Sequence, residues 1–174
     1  MKPTQFSDML CPVARSMGRV GDSWSMLILR DAFHGMTRFD EFVKSTRIAP
    51  NILTRRLADL VENGLLERRL YNERPARHEY VLTELGHSFR PVLFALIAWG
   101  NENFAPEGIS MQMVNRETGL PAVPVVFDSL AKLPLTDEHY MMVPGPAASD
   151  NMRLRLANAE RRRQERLGTT PPAP

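Results

Sequence analysis

Asn51, Thr54, Arg55 and Ala58 recur at three- and four-residue spacing within the stretch Pro50 to Leu60. That spacing places them on one face of a helix. Small, hydrogen-bonding and cationic groups of this kind suit a helix lying in a DNA major groove. Leu53, Leu57 and Leu60 fall at i, i+4 and i+7 on the other side and ask for a core. Taken alone, the pattern is also that of an ordinary amphipathic helix with a solvated polar face, and that is the plainer reading of the helix by itself. The residues that follow shift the balance. Glu62-Asn63-Gly64 ends the helix, with Gly64 at the left-handed capping position. Leu65 to Leu70 reads as a strand, Tyr71 to Arg77 as a turn-rich tip and His78 to Leu82 as the returning strand. Arg74 and Arg77 on such a hairpin can reach phosphates or the adjacent minor groove. A helix followed by a basic hairpin is a more specific signal than either part.

Other chemistry is sparse. Cys11 is the single cysteine, which rules out an internal disulfide and an all-cysteine zinc site. It stands just before Pro12, at the N-cap of an expected helix, where partial positive charge favours thiolate. The plainer reading is a buried structural thiol, because free cysteine is among the most buried residue types. A thiol enzyme would need a general base beside Cys11 and catalytic turnover. His34, His78, His87 and His139 share no metal-ligand spacing. There is no Gly-rich phosphate loop, Gly-x-Ser-x-Gly elbow or Cys-x-x-Cys pair. No enzyme, cofactor or metal is expected.

The elements that must position these groups are mostly helical. Pro12 begins a short helix running to about Gly18, since a first-turn proline loses no hydrogen bond. Asp22 caps the next helix, which turns Trp24, Leu27, Ile28 and Ala32 toward a core. Phe39, Phe42 and Val43 make the first helix of a helix-turn-helix pair. Thr83 caps a long helix to about Phe104, with Leu85, Phe89, Leu93, Leu96, Ile97 and Gly100 at helical spacing. That helix is too apolar for one layer of a small domain, and it packs either on the C-terminal segment or on a second subunit.

In order along the chain, these residues resemble the HxlR-type transcriptional regulators, a winged-helix family related to the MarR group. Cys11-Pro12-Val13 opens the match. Gly21 to Asp31 resembles the family's Trp-centred second helix, although Asp22-Ser23 stands where Gly-Lys is commoner. Thr37-Arg38-Phe39-Asp40-Glu41-Phe42, Gly64-Leu65-Leu66-Glu67-Arg68, Tyr80-Val81-Leu82-Thr83 and Leu85-Gly86 complete it. The resemblance covers roughly residues 9–104 and implies a homodimeric DNA-binding regulator whose first and last helices form the seam. Two recognition helices would then lie about 10 base pairs apart on a near-palindromic operator. Arg55, with Asn51 and Thr54, would touch base edges. Arg38 and Arg56 would hold phosphates or internal acids, and Arg74 and Arg77 would fix register. Some relatives sense oxidants, quinones or aldehydes through a cysteine matching Cys11, so a small-molecule or oxidant inducer is a further expectation. A winged-helix adaptor that binds protein and no DNA is the alternative.

The fold class expected is mainly α with a small β wing (α+β): a winged helix-turn-helix over residues 1–104, a small β-rich extension over 105–146, and a basic, partly disordered tail over 147–174. The extension reads as a β-meander made from Met111–Val114, Val123–Asp128 and His139–Val143, with a turn at Glu117–Gly119. Met152 to Leu167 reads as an arginine-rich helix, and its basic face as either solvated or phosphate-binding, the solvated face being the plainer. A chain of 174 residues can bury one good core and a small appendage. Net charge is only +2, so DNA affinity would rest on a local footprint rather than on the whole field. No apolar run reaches membrane-spanning length and the first residues lack a signal peptide's apolar stretch, which predicts a cytoplasmic protein with no membrane contact.

Overall fold

The computed structural model describes residues 6–168, and proline and capping residues begin most of its helices. A 3₁₀ turn, Phe6–Asp8, precedes α1 (Pro12–Val20), which has Pro12 in its first turn. The Asp22 carboxylate accepts the Ser25 N–H at 3.1 Å and starts α2 (Ser23–Phe33). After α3 (Phe39–Thr46), Arg47 adopts the left-handed conformation with φ 57°. This reversal leads into α4 (Pro50–Glu62). Leu53, Leu57 and Leu60 are 0 % exposed, as are Phe42, Ile28 and Leu29. They form one core with Leu66 and Leu93, so the leucine stripe of α4 is what fixes that helix's rotation. Gly64 has φ 74°, and the Leu65 N–H donates to the Leu60 carbonyl at 2.9 Å, which closes α4 as a left-handed cap requires.

β1 (Leu66–Glu73) and β2 (Ala76–Leu82) pair antiparallel, Leu66 opposite Leu82 and Glu73 opposite Ala76. The hairpin therefore turns over Arg74-Pro75 alone, and the seven-residue tip expected from Tyr71 to Arg77 is corrected. Register slips between Leu70 and Asn72, so Tyr71 is taken up as a bulge and pairing continues past it. Arg77 sits within β2, opposite Asn72, while Arg74 remains in the turn. The outer edge of β2 is also used. Tyr80 N–H donates to the Thr37 carbonyl at 2.7 Å, and Arg38 bridges to Glu79, which ties the start of α3 to the wing.

The Thr83 hydroxyl donates to the Gly64 carbonyl at 2.6 Å and accepts the Gly86 N–H at 3.0 Å. A Cβ on Gly86 would come within 2.2 Å of the Leu65 carbonyl oxygen, so only glycine allows this contact between helix and strand. The single long helix expected from Thr83 to Phe104 is instead two, α5 (Glu84–Ser88) and α6 (Arg90–Asn103). Pro91 has no N–H for the His87 carbonyl and crowds the preceding turn, so the helix breaks at Phe89. Of α6 only Leu93 is buried, whereas Trp99 is 57 % exposed and meets Phe104 edge-on with ring centroids 4.9 Å apart. Val13 and Met17 of α1 are exposed as well.

The meander is also corrected. Two separate hairpins form, β3 (Met113–Val114) with β4 (Pro121–Ala122), and β5 (Phe127–Asp128) with β6 (Leu133–Pro134). Pro121, Pro124 and Pro134 cannot donate to a ladder, and His139–Val143 is not a strand. The turn at Glu117–Gly119 does form, with Asn115 Oδ1 accepting the Glu117 and Thr118 N–H groups. α7 (Asp150–Leu167) begins at the Ser149 cap, two residues before the expected start. The tail residues Thr169–Pro174, expected to be disordered, and the N-terminal residues Met1–Gln5 lie outside the described residues. Among the described residues, no helix is long and apolar enough to cross a membrane.

Candidate nucleic-acid interface

Burying three leucines of α4 leaves its opposite face outward, and Asn51, Thr54, Arg55 and Ala58 are all exposed there. Thr54 Oγ1 donates to the Pro50 carbonyl at 2.9 Å, which orients the hydroxyl and leaves its lone pairs available. Arg55 and Asn51 make no side-chain hydrogen bond or ion pair among the described residues. Arg56, one position on, points elsewhere. It pairs with Asp22 and, at 3.1 Å, with Asp59, so of the two roles expected for it the internal acids are the observed one. The contact joins α4 to the cap of α2. Adjacent arginines on one helix thus have opposite fates, because a 100° rotation carries the second toward the core edge.

On the wing, Arg69 is held by Glu67 at 2.9 Å and Arg68 meets His78 Nδ1 at 3.0 Å. The Arg69 guanidinium holds the Glu67 carboxyl below its ordinary value, as a neighbouring cation does. Arg74 and Arg77 have no such partner among the described residues. Arg38 lies with its guanidinium 4.9 Å from the Tyr71 ring centroid, in cation–π range. Arg38, Phe39, Asp40, Tyr71, Arg77 and His78 line a crevice of about 340 Å³ between the start of α3 and the wing, so one carboxylate stands among its cations. Arg38 and Arg77 therefore border one crevice, with Tyr71 beneath the Arg38 guanidinium. Sequence reasoning missed Tyr71, which it counted as turn; its place in the bulge and its contact with Arg38 depend on the β2 edge pairing, which no local spacing reports. The Glu41 carboxylate accepts the Thr37 and Arg38 N–H groups, both at 2.9 Å, which fixes the backbone carrying Arg38 and lowers the Glu41 pKa.

Cys11 is half-buried and occupies the N-cap position of α1, although its sulfur makes no side-chain capping hydrogen bond. The Ala14 N–H lowers the thiol pKa most; partial burial opposes it, and Arg155 of α7 and the Val13 N–H lower it further. Arg155 also donates to Met152 Sδ at 3.0 Å. α7 is accordingly not a detached tail. Arg163 donates to the Asp137 carbonyl, and Leu156 and Ala159 face Leu135 and Tyr140 across a cleft. Arg155 was missed as a partner of Cys11, and the distance between them in sequence carries no signal for it.

A helix pair whose turn buries Ile48, a bulged basic wing braced by the segment before α3, and an exposed polar face on α4 define a winged helix-turn-helix. Comparison agrees. The model of the HxlR-like helix-turn-helix matches residues 19–108, and the chain belongs to the HxlR-like helix-turn-helix family of transcriptional regulators. An HTH-type transcriptional regulator of Mycobacterium tuberculosis, itself uncharacterised, is 36 % identical over 135 residues, covering 77 % of this chain and 85 % of that protein. A structure described as a candidate transcription factor of Pseudomonas aeruginosa is 50 % identical with a TM-score of 0.59, covering 84 % of this chain and all of the other. The redox regulator HypR in its oxidised form is 31 % identical with a TM-score of 0.51, covering 53 % of this chain and 97 % of HypR.

Proposed function

We propose that the protein is a homodimeric, sequence-specific regulator that binds double-stranded DNA with α4 in the major groove and the wing on the backbone or in the minor groove. The observation that carries this is the contrast on α4: one face wholly buried, the other exposed with Asn51 and Arg55 unpaired. Arg55 with Asn51 and Thr54 reads base edges. Arg38, Arg74 and Arg77 contact phosphates, and Arg56 supports α4 through Asp22 rather than touching DNA. Residues 1–104 form the DNA-binding and dimerisation unit, with the exposed apolar side chains of α1 and α6 as the seam. A regulator of this kind works in the cytoplasm, on a near-palindromic operator.

A second element of the reading is redox responsiveness through Cys11, favoured by its Ala14 and Arg155 environment and by the likeness to HypR. The Cys11 thiolate attacks one oxygen of hydrogen peroxide: an S–O bond forms, the O–O bond breaks, the sulfur is oxidised to sulfenic acid as the peroxide is reduced, and the hydroxide that leaves is protonated to water by buffer acid. Selection of bound sites from a random duplex pool tests the main reading. Enrichment of a near-palindrome with half-sites about 10 base pairs apart is expected. A pool that stays random would contradict it and favour the adaptor. Hydrogen peroxide should weaken binding to the selected site in the native protein and leave Cys11→Ser unaffected; equal responses of the two would remove Cys11 from the switch.

A further inference from the structure

The β3–β4 hairpin does not lie flat on α6. Between them is a cavity of about 510 Å³, a size that holds a small organic molecule. Ile97 and Ala98 of α6 form one wall and Met113 and Val123 of the extension part of the other. Three polar residues, Asn101, Glu102 and Gln112, also border it. Asn101 Nδ2 donates to the Met111 carbonyl at 2.9 Å, so the amide is fixed and its Oδ1 is left as an acceptor. Glu102 makes no ion pair among the described residues, and no Lys or Arg lines the cavity. The lining thus combines apolar walls with two side-chain amides, of which Gln112 can donate as well as accept, and one negative charge. An anion would meet Glu102 without a counter-charge, while an amine would find both an acceptor and a carboxylate.

We propose that this cavity binds a small, largely apolar amine, its hydrocarbon against Ile97, Ala98 and Met113 and its nitrogen toward Glu102 and Asn101 Oδ1. Because one wall is α6, the helix assigned above to the subunit seam, the site is an effector site; that role rests on the DNA-binding reading, whereas the binding itself does not. Fluorescence titration of the full-length protein with N-phenyl-1-naphthylamine, a neutral aryl amine, measures occupancy without DNA. One dye per chain is expected, displaced more readily by 1-naphthylmethylamine than by 1-naphthoate. Ala98→Trp fills the space and should weaken the dye by at least about tenfold. Glu102→Gln, a change at an exposed side chain, should erase a cation preference of about threefold and leave the neutral dye bound. Dye binding indifferent to Ala98→Trp, a preference for the anion, or binding that disappears as the protein self-associates would overturn the site, the last by giving the cavity to a second copy. If the dye binds as expected and saturating naphthylmethylamine leaves the affinity for the selected DNA unchanged, the effector role falls. If no DNA is selected, the regulator reading fails and the titration still decides the site.

Discussion

The winged domain and the extension contain similar apolar side chains and treat them in opposite ways. Leu53, Leu57 and Leu60 are wholly buried, whereas Val123, Leu130 and Met142 are 81 %, 91 % and 83 % exposed. The difference lies in what the backbone can do with each. A helical stripe gathers every leucine on one side, and four helices and a hairpin close over it. The extension is interrupted by prolines into hairpins of two residue pairs, too short to present a continuous face. Composition alone therefore does not make a core; period and pairing do. Apolar surface left open to this extent is a docking surface or a liability, which is why the extension is expected to act through what it covers.

The largest test of this contrast is thermodynamic. Leu57→Ala should destabilise the protein by about 2–5 kcal/mol, read as a lowered denaturant midpoint, because it empties a filled site. Val123→Ala should change stability by less than about 0.5 kcal/mol. A loss at Val123 comparable to that at Leu57 would break the contrast and mean that a second subunit buries the extension. Next comes the wing, whose free and paired cations should separate. Arg77→Ala is expected to flatten the salt dependence of DNA binding by about one unit, and Arg69→Ala, already neutralised by Glu67, to leave most of it. Equal slopes for the two variants would remove Arg77 from the phosphate contacts. The smallest effect is at Cys11. Its depressed pKa means thiolate appears at lower pH than in an ordinary cysteine, so the midpoint of iodoacetamide alkylation should lie below that of a free thiol. Arg155→Ala should move that midpoint upward; no movement would show that α7 does not tune the thiol.

Much of the domain was legible because its determinants are local. The stripe on α4, the Asp22 and Thr83 caps and the left-handed Gly64 each follow from a few neighbouring residues. The misses are tertiary. Tyr71 is a bulge in a strand that pairs past it, and the long helix broke because Pro91 removes one hydrogen bond that periodicity does not weigh. For Arg56, expected on phosphates or on internal acids, local spacing could not choose between the two, because the Asp22 carboxylate that claims it belongs to another helix. Arg155 beside Cys11 depends wholly on where α7 returns.

The central claim is that the exposed face of α4 reads DNA sequence, and Arg55→Ala on the selected site and on random duplex at fixed salt tests it most directly. A loss of about 1–3 kcal/mol on the selected site, with relaxed preference at one base pair and little change on random DNA, is the predicted result. Equal losses on both duplexes would contradict it and reduce Arg55 to a phosphate contact.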